Sequence, residues 1–186
     1  MAFATISDEE FLDRALDLFR TYGFEGVSLS RLSAATGLEK ASLYYRYPGG
    51  KEEIAMAVVQ RVIQWFQANV FVPLRGEGLP SKRVAAVADR LHDFYLNGQK
   101  SCILDVLSIP GGSDAMISTL RSTVQAWIQA FAEVARESGL SPALARSRAE
   151  EAVLRVEGSL VLARVLGDCS QFKRILKSLP DFLTVP

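Results

Sequence analysis

The chain has 186 residues, 21 Lys+Arg against 21 Asp+Glu, 49% apolar residues and 23% charged residues. This composition suits one large globular domain, or a small domain joined to a larger one. It excludes a membrane span, because no run of about 18 apolar residues occurs, and a disulfide scaffold, because Cys102 and Cys169 are the only cysteines. No basic head followed by an apolar stretch opens the sequence, so a cytoplasmic protein is expected. His92 is the only histidine, which disfavours His-based metal sites and leaves a Ser-His-Asp scheme a single candidate.

Almost every element reads at a helical period. Phe11, Ala15, Leu18, Phe19 and Tyr22 form one stripe of a first helix, capped by Ser7, with Glu10 completing a capping box and Gly23 as the stop. Ser28 caps a short helix over 29–36, closed by Gly37. A two-residue turn leads into another short helix over 40–46, broken by Tyr47-Pro48-Gly49-Gly50. A longer helix starts near Lys51, with Ile54, Val58, Val62, Trp65 and Phe66 inward. The stretch 71–80 reads as irregular. Ser81 caps the next helix, which turns Val84, Val87, Leu91, Phe94 and Tyr95 inward and ends at Asn97-Gly98. The apolar stretch 102–109, bounded by Pro110-Gly111-Gly112, has β-branched content but no partner strands, and is read as helix. Ile117, Leu120, Val124, Trp127, Phe131 and Val134 mark a long helix ending at Ser138-Gly139-Leu140. Ser141, with Pro142 at the first helical position, opens a second long helix that stops at Gly167. A last short helix covers 169–179. The fold class is all-α, with about nine helices.

The segment 28–51 carries the functional signal. Two short helices joined at Gly37 have the form of a helix-turn-helix, whose second helix enters a major groove; an αα-corner without a partner has the same spacing. Lys40, Ser42, Tyr44, Tyr45 and Arg46 crowd the second helix around Leu43, its inward anchor. Hydroxyl and guanidinium groups in that setting suit phosphates and base edges. Arg31, Lys40, Arg46 and Lys51 face only Glu39 in this segment, so a neutral chain carries a local basic surface. Asp8, Glu9, Glu10, Asp13 and Asp17 make the first helix acidic, and it would face away from DNA.

The runs Ala15-Leu16-Asp17-Leu18-Phe19, Gly23-Phe24-Glu25-Gly26-Val27-Ser28, Leu32-Ser33-Ala34-Ala35-Thr36-Gly37-Leu38 and Ala41-Ser42-Leu43-Tyr44-Tyr45-Arg46-Tyr47-Pro48-Gly49-Gly50-Lys51-Glu52-Glu53 together resemble the DNA-binding head of the TetR family of bacterial repressors. The Pro48-Gly49-Gly50-Lys51 ending is similar to the LmrA/YxaF-like branch of multidrug-type regulators. The resemblance implies a three-helix DNA-binding domain over 1–50 and a helical ligand-binding and dimerisation domain over 51–186. It implies that Ser28 caps the second helix and touches phosphate, and that Ser30 and Arg31 sit near the backbone or a base edge. Lys40, Ala41 and Ser42 would lead the recognition helix, Ala41 by apolar contact alone. Tyr44 and Tyr45 would meet phosphate or thymine methyl groups, and Lys51 would bind phosphate. The role of Arg46 varies within the family.

A family-like body would hold a ligand against Trp65, Phe66, Phe94, Tyr95, Cys102, Met116, Trp127 and Phe131, although an aromatic stripe at this spacing also reads as plain core. Few charges lie near these positions, which favours a small apolar or aromatic ligand. Cys102 reads as a buried inert thiol, with a sensor of oxidants as the alternative, and His92 as a surface residue. The helix through 153–166 is apolar on more than one face, as in a central core or half of a subunit interface. Val153, Val156, Leu160, Ala163 and Arg164 form the expected homodimer seam, with Arg155, Glu157 and Arg164 available to pair across it. HExxH, GxSxG, CxxC and phosphate-loop patterns do not occur, so no enzyme, cofactor or metal is expected. The leading expectation is a dimeric repressor of double-stranded operator DNA, released by a ligand. The alternative is a helical small-molecule-binding protein with no DNA role.

Overall fold

The computed structural model describes residues 6–108 and 112–185. In chain order the helices are α1 (Asp8–Gly26), α2 (Leu29–Thr36), α3 (Lys40–Arg46), α4 (Gly50–Phe66), α5 (Val72–Leu74), α6 (Pro80–Phe94), α7 (Ile103–Val106), α8 (Asp114–Glu137), α9 (Pro142–Leu166) and α10 (Ser170–Thr184). A π-helical turn, Gln67–Phe71, lies between α4 and α5, and a 3-10 turn, Leu96–Gly98, follows α6. No strand occurs among the described residues, so the all-α expectation holds. No helix among them is long and apolar enough to cross a membrane.

The chain packs as two compact units, one made of the described parts of Met1–Ile63 and Ile103–Leu120, the other of Gln64–Cys102 and the described part of Arg121–Pro186. The division runs inside α4 and inside α8. The first unit has a core of Phe11, Ala15, Phe19, Leu32, Leu43, Ile54 and Val58, all without solvent exposure. Leu43 alone of α3 is buried, as its anchoring role requires. In the second unit α10 packs on both α6 and α9, and Leu91, Val156, Phe172, Leu176 and Leu183 of these helices are buried.

The capping logic holds where side-chain oxygens meet free helix N–H groups. Ser7 Oγ accepts from the Glu10 N–H at 3.1 Å, Ser28 Oγ from Arg31 at 3.2 Å and Ser141 Oγ from Leu144 at 3.3 Å. Gly37 (φ +74°) and Gly167 (φ +66°) adopt the left-handed geometry that a helix stop asks for. Elsewhere packing moves the boundaries. Gly23 breaks the regular α1 with φ +66° and ψ −178°, but helical turns resume to Gly26. Tyr22 leaves the expected inner stripe and is exposed, whereas Leu16 and Arg20 are buried. Pro80 takes the first helical position of α6, so Leu79 and not Ser81 precedes the helix. The stretch 71–80 is not irregular throughout, because helical geometry continues through the π turn to Leu74. The helix of 102–109 contracts to α7; Ile109, Pro110 and Gly111 lie outside the described residues. The last helix runs on through Pro180 to Thr184, since burying Leu179 and Leu183 on one face outweighs the hydrogen bond proline cannot donate.

Candidate nucleic-acid interface

The helix-turn-helix is held by side chains that satisfy the open ends of its short helices. Ser33 Oγ donates to the Leu38 carbonyl at 2.6 Å, and Thr36 Oγ1 donates to the Leu32 carbonyl at 2.7 Å. Arg14 of α1 donates to the Ala35 carbonyl at 2.8 Å, covering the negative end of α2. Gly50 (φ +65°) turns the chain from α3 into α4 and lies against the Tyr44 ring. Tyr47 stacks on Phe11 with centroids 5.3 Å apart, and its burial, with help from Asp8, pushes the phenol above its usual range.

This frame exposes Ser28, Ser30, Arg31, Lys40, Ala41, Tyr44 and Tyr45 and half-buries Ser42. Tyr45 is 90% exposed and Tyr44 53%, far more than folding requires of an aromatic ring. The two remaining expected DNA contacts are already engaged. Arg46 pairs with Asp8 at 3.1 Å and donates to the Ile6 carbonyl at 3.3 Å. Lys51 donates to the Phe24 carbonyl at 3.0 Å, sits 4.1 Å over the Phe24 ring and approaches Glu25 at 3.8 Å. Both belong to the local basic surface expected from the sequence, but these contacts engage them within the chain. The sequence pattern also misses a tie between α4 and α1. Arg61 donates to both oxygens of Asp13, at 2.7 and 3.0 Å, and to Glu9 at 3.2 Å, and these bonds raise its pKa further. The acidic face of α1 is thus an internal counter-charge for Arg14, Arg46 and Arg61. Arg20 is buried and engaged as well. Among the described residues of this unit, Arg31 and Lys40 are the cations with no carboxylate or carbonyl partner, and both belong to the helix-turn-helix.

The expected ligand residues divide between the units. Trp65, Phe66, Phe94, Tyr95, Trp127 and Phe131 form one continuous ring cluster. Trp65 stacks on Phe94 at 3.9 Å, Phe66 meets Phe94 and Trp127 edge-on at 5.9 and 5.1 Å, Trp127 meets Phe131 at 6.0 Å, and Phe94 meets Tyr95 at 5.0 Å. The Tyr95 hydroxyl donates to Cys102 Sγ at 3.3 Å, and Cys102 is buried. Met116, also buried, belongs to the first unit. The Trp127 indole N–H is buried and meets no acceptor among the described residues. His92 is half-buried beside Asp93, 3.3 Å away.

The expected dimer seam needs correction. Val153, Val156, Leu160 and Ala163 are buried inside this chain, because that face of α9 packs on the chain's own helices. Besides Leu144 in its first turn, the large apolar side chains α9 leaves exposed are Leu154, Val161, Leu162, Val165 and Leu166, all from its midpoint onward. Arg164 is exposed and donates to Ser101 Oγ at 3.0 Å. Arg155 is satisfied internally, by Glu151 at 2.6 Å and by the Phe182 ring at 4.0 Å.

Residues 11–58 match a family profile described as bacterial regulatory proteins, tetR family. Along nearly its whole length the chain is similar to the HTH-type transcriptional regulator LmrA of Bacillus subtilis, at 25% identity over 95% of this chain and 96% of that protein. Its fold matches the crystal structure of a TetR transcriptional regulator from Legionella pneumophila, with a TM-score of 0.82 at 20% identity over 97% of each chain. It also matches the regulator CifR, a cysteine mutant of which was solved with double-stranded operator DNA, with a TM-score of 0.76 at 20% identity over 97% of each chain. The helix-turn-helix geometry, the profile match and the full-length likeness agree: residues 11–58 form a head of the TetR-family type, and the chain as a whole is similar to TetR regulators in fold.

Proposed function

We propose that this chain is a cytoplasmic repressor that binds double-stranded operator DNA as a homodimer and is released by a small apolar or aromatic ligand. The observation that carries the DNA reading is the distribution of unpaired cations. Among the described residues Arg31 on α2 and Lys40 on α3 have no carboxylate or carbonyl partner, Arg31 lying only against the Tyr22 ring, and α3 also exposes the rings of Tyr44 and Tyr45, while the other cations of the unit are engaged internally. Lys40 and Ser42 approach base edges; Ser28, Ser30, Arg31 and Tyr44 meet the backbone; Ala41 and Tyr45 offer apolar contact to thymine methyl groups. Lys51 adds charge near phosphate from its place against Phe24. The functional division follows as a DNA-reading head over 1–50 and a body over 51–186. CifR bound to its operator supports this reading by likeness of fold.

In the body, the ring cluster and the unsatisfied Trp127 N–H support a ligand site, because a buried donor without an acceptor asks for one. The exposed strip of Leu154, Val161, Leu162, Val165 and Leu166 supports a subunit contact. Two recognition helices would then meet half-sites about 34–36 Å apart, or a multiple of that distance. The test is titration of a labelled duplex from the region upstream of the chain's own gene at two salt concentrations. Tight, salt-dependent binding is expected. Binding no tighter than to random duplex at either salt would leave a ligand-binding protein without a DNA role.

A further inference from the structure

Tyr22 sits on α1, outside the helix-turn-helix, yet its ring is 46% exposed. The other α1 and α4-proximal rings of this unit are paired inward, Phe11 on Tyr47 and Phe19 on Phe24. Tyr22 differs from the exposed Tyr44 and Tyr45 in carrying a cation: the Arg31 guanidinium carbon lies 4.1 Å from its ring centroid. The backbone brings the two together by a short fixed path. Gly23 closes the regular part of α1 at φ +66°, Val27 is buried, and Ser28 Oγ holds the Arg31 N–H at 3.2 Å. A Cβ added at Gly26 would come within 3.0 Å of the Tyr22 Cβ, so the turn is packed closely against this side chain. Arg31 makes no hydrogen bond or ion pair through its guanidinium among the described residues, so its donors are unspent.

A long arginine loses rotamer freedom when it is fixed on a ligand, and a cation–π contact already present in the free protein reduces that loss. A guanidinium held this way and lacking a carboxylate suits the planar, charge-assisted recognition of a phosphate. We propose that Tyr22 is a positioning residue that holds Arg31 ready for a phosphate oxygen of duplex DNA. The proposal rests on the DNA-binding reading above. It extends the machinery that prepares the DNA contacts beyond the helix-turn-helix to the end of α1.

The test uses the full chain and a duplex that the parent protein itself selects from a random pool, with affinity read by fluorescence anisotropy at two salt concentrations. Arg31→Ala lowers the salt slope by about one. Tyr22→Ala weakens binding about two- to fivefold, the range of an exposed cation–π contact. Tyr22→Phe, which keeps the ring face, retains the parent affinity, and Tyr22→Leu, which keeps apolar bulk without the ring, loses as much as Tyr22→Ala. In an Arg31→Ala background, Tyr22→Ala has no further effect. Equal losses for Tyr22→Phe and Tyr22→Ala, retained affinity in Tyr22→Leu, or the same loss with and without Arg31 would overturn the positioning role alone. If the parent selects no duplex, the DNA reading itself fails and the positioning role falls with it.

Discussion

Lys51 points its ammonium at the carbonyl of Phe24, 3.0 Å away, where the end of α1 offers partial negative charge. It therefore joins α1 to the start of α4 as well as adding charge near the DNA. Lys40 has no such tie. The two replacements should separate these roles. Lys40→Ala should change which sequence is preferred and reduce the salt slope by about one. Lys51→Ala should weaken all sequences alike and also lower the melting temperature by a few degrees, on the order of 1 kcal/mol for a lost charged hydrogen bond. Anisotropy on a panel of single-base operator variants, with a thermal melt of each protein, checks both; unchanged sequence preference in Lys40→Ala would remove it from the base-reading group. Charge counting in the sequence located this surface but could not divide it. Among the described residues Arg31 and Lys40 lack a carboxylate partner, whereas Arg46 has one because Asp8 lies 38 positions away in sequence and 3.1 Å away in space. Pairings of that range leave no mark in a local pattern.

Among the elements, α9 shows where periodicity stops being informative. Its apolar residues cover more than one face, so the sequence reveals that two surfaces want burial without saying which one the chain uses itself. The fold uses Val153, Val156, Leu160 and Ala163. Val165→Glu, at a position 72% exposed, should therefore leave the monomer fold intact and raise the dimer dissociation constant at least about tenfold, or about 1.4 kcal/mol. Leu160→Glu puts a charge in the core and should fail to fold, since an unpaired buried charge costs about 3–5 kcal/mol or more of a total near 5–15. Analytical ultracentrifugation beside circular dichroism separates the outcomes; a Val165→Glu dimer of parent strength would exclude this strip as the contact. Element ends also carry the pH dependence. The Ser170 hydroxyl and N–H, at 2.7 and 2.9 Å, hold the Asp168 carboxyl below its usual range at the start of α10. Burial would raise Glu133, but Gln129 and Arg75, each at 3.0 Å, outweigh it and hold that carboxyl low too. For both, the unfolded chain takes up the proton first. Their stabilisation is complete above the unfolded values near pH 4 and is lost as pH falls through the lower folded values. Urea melts at pH 7 and pH 3 should show a larger acid loss for the parent than for a Glu133→Gln/Asp168→Asn double variant. An equal loss would assign the acid sensitivity to other carboxylates.

At the scale of the whole molecule, one helix belongs to both packing units: α4 starts beside the helix-turn-helix and ends at Phe66 in the ring cluster. One turn before Trp65 on the same helix, Arg61 grips Asp13 and Glu9 of α1. A ligand packed against Trp65 and Phe66 that displaced α4 would therefore pull on the head through an ion-paired contact, and in a dimer would change the spacing of the two recognition helices. Thermodynamic linkage then requires the ligand to bind the DNA-free form more tightly, and tenfold release needs about 1.4 kcal/mol of coupling. A ring-containing compound found by thermal-shift screening should quench tryptophan fluorescence and lower operator affinity over the same concentration range. Arg61→Met should keep the compound's affinity for the free protein yet shrink the factor by which it releases DNA, because the grip on α1 is gone while the ring cluster is untouched. Measuring that factor in parent and variant isolates the connection from the two sites it joins. A compound that binds tightly to the body and leaves operator affinity unchanged would sink the coupling, and an undiminished release factor in Arg61→Met would route it through the apolar packing of Ile54 and Val58 instead of the ion pairs.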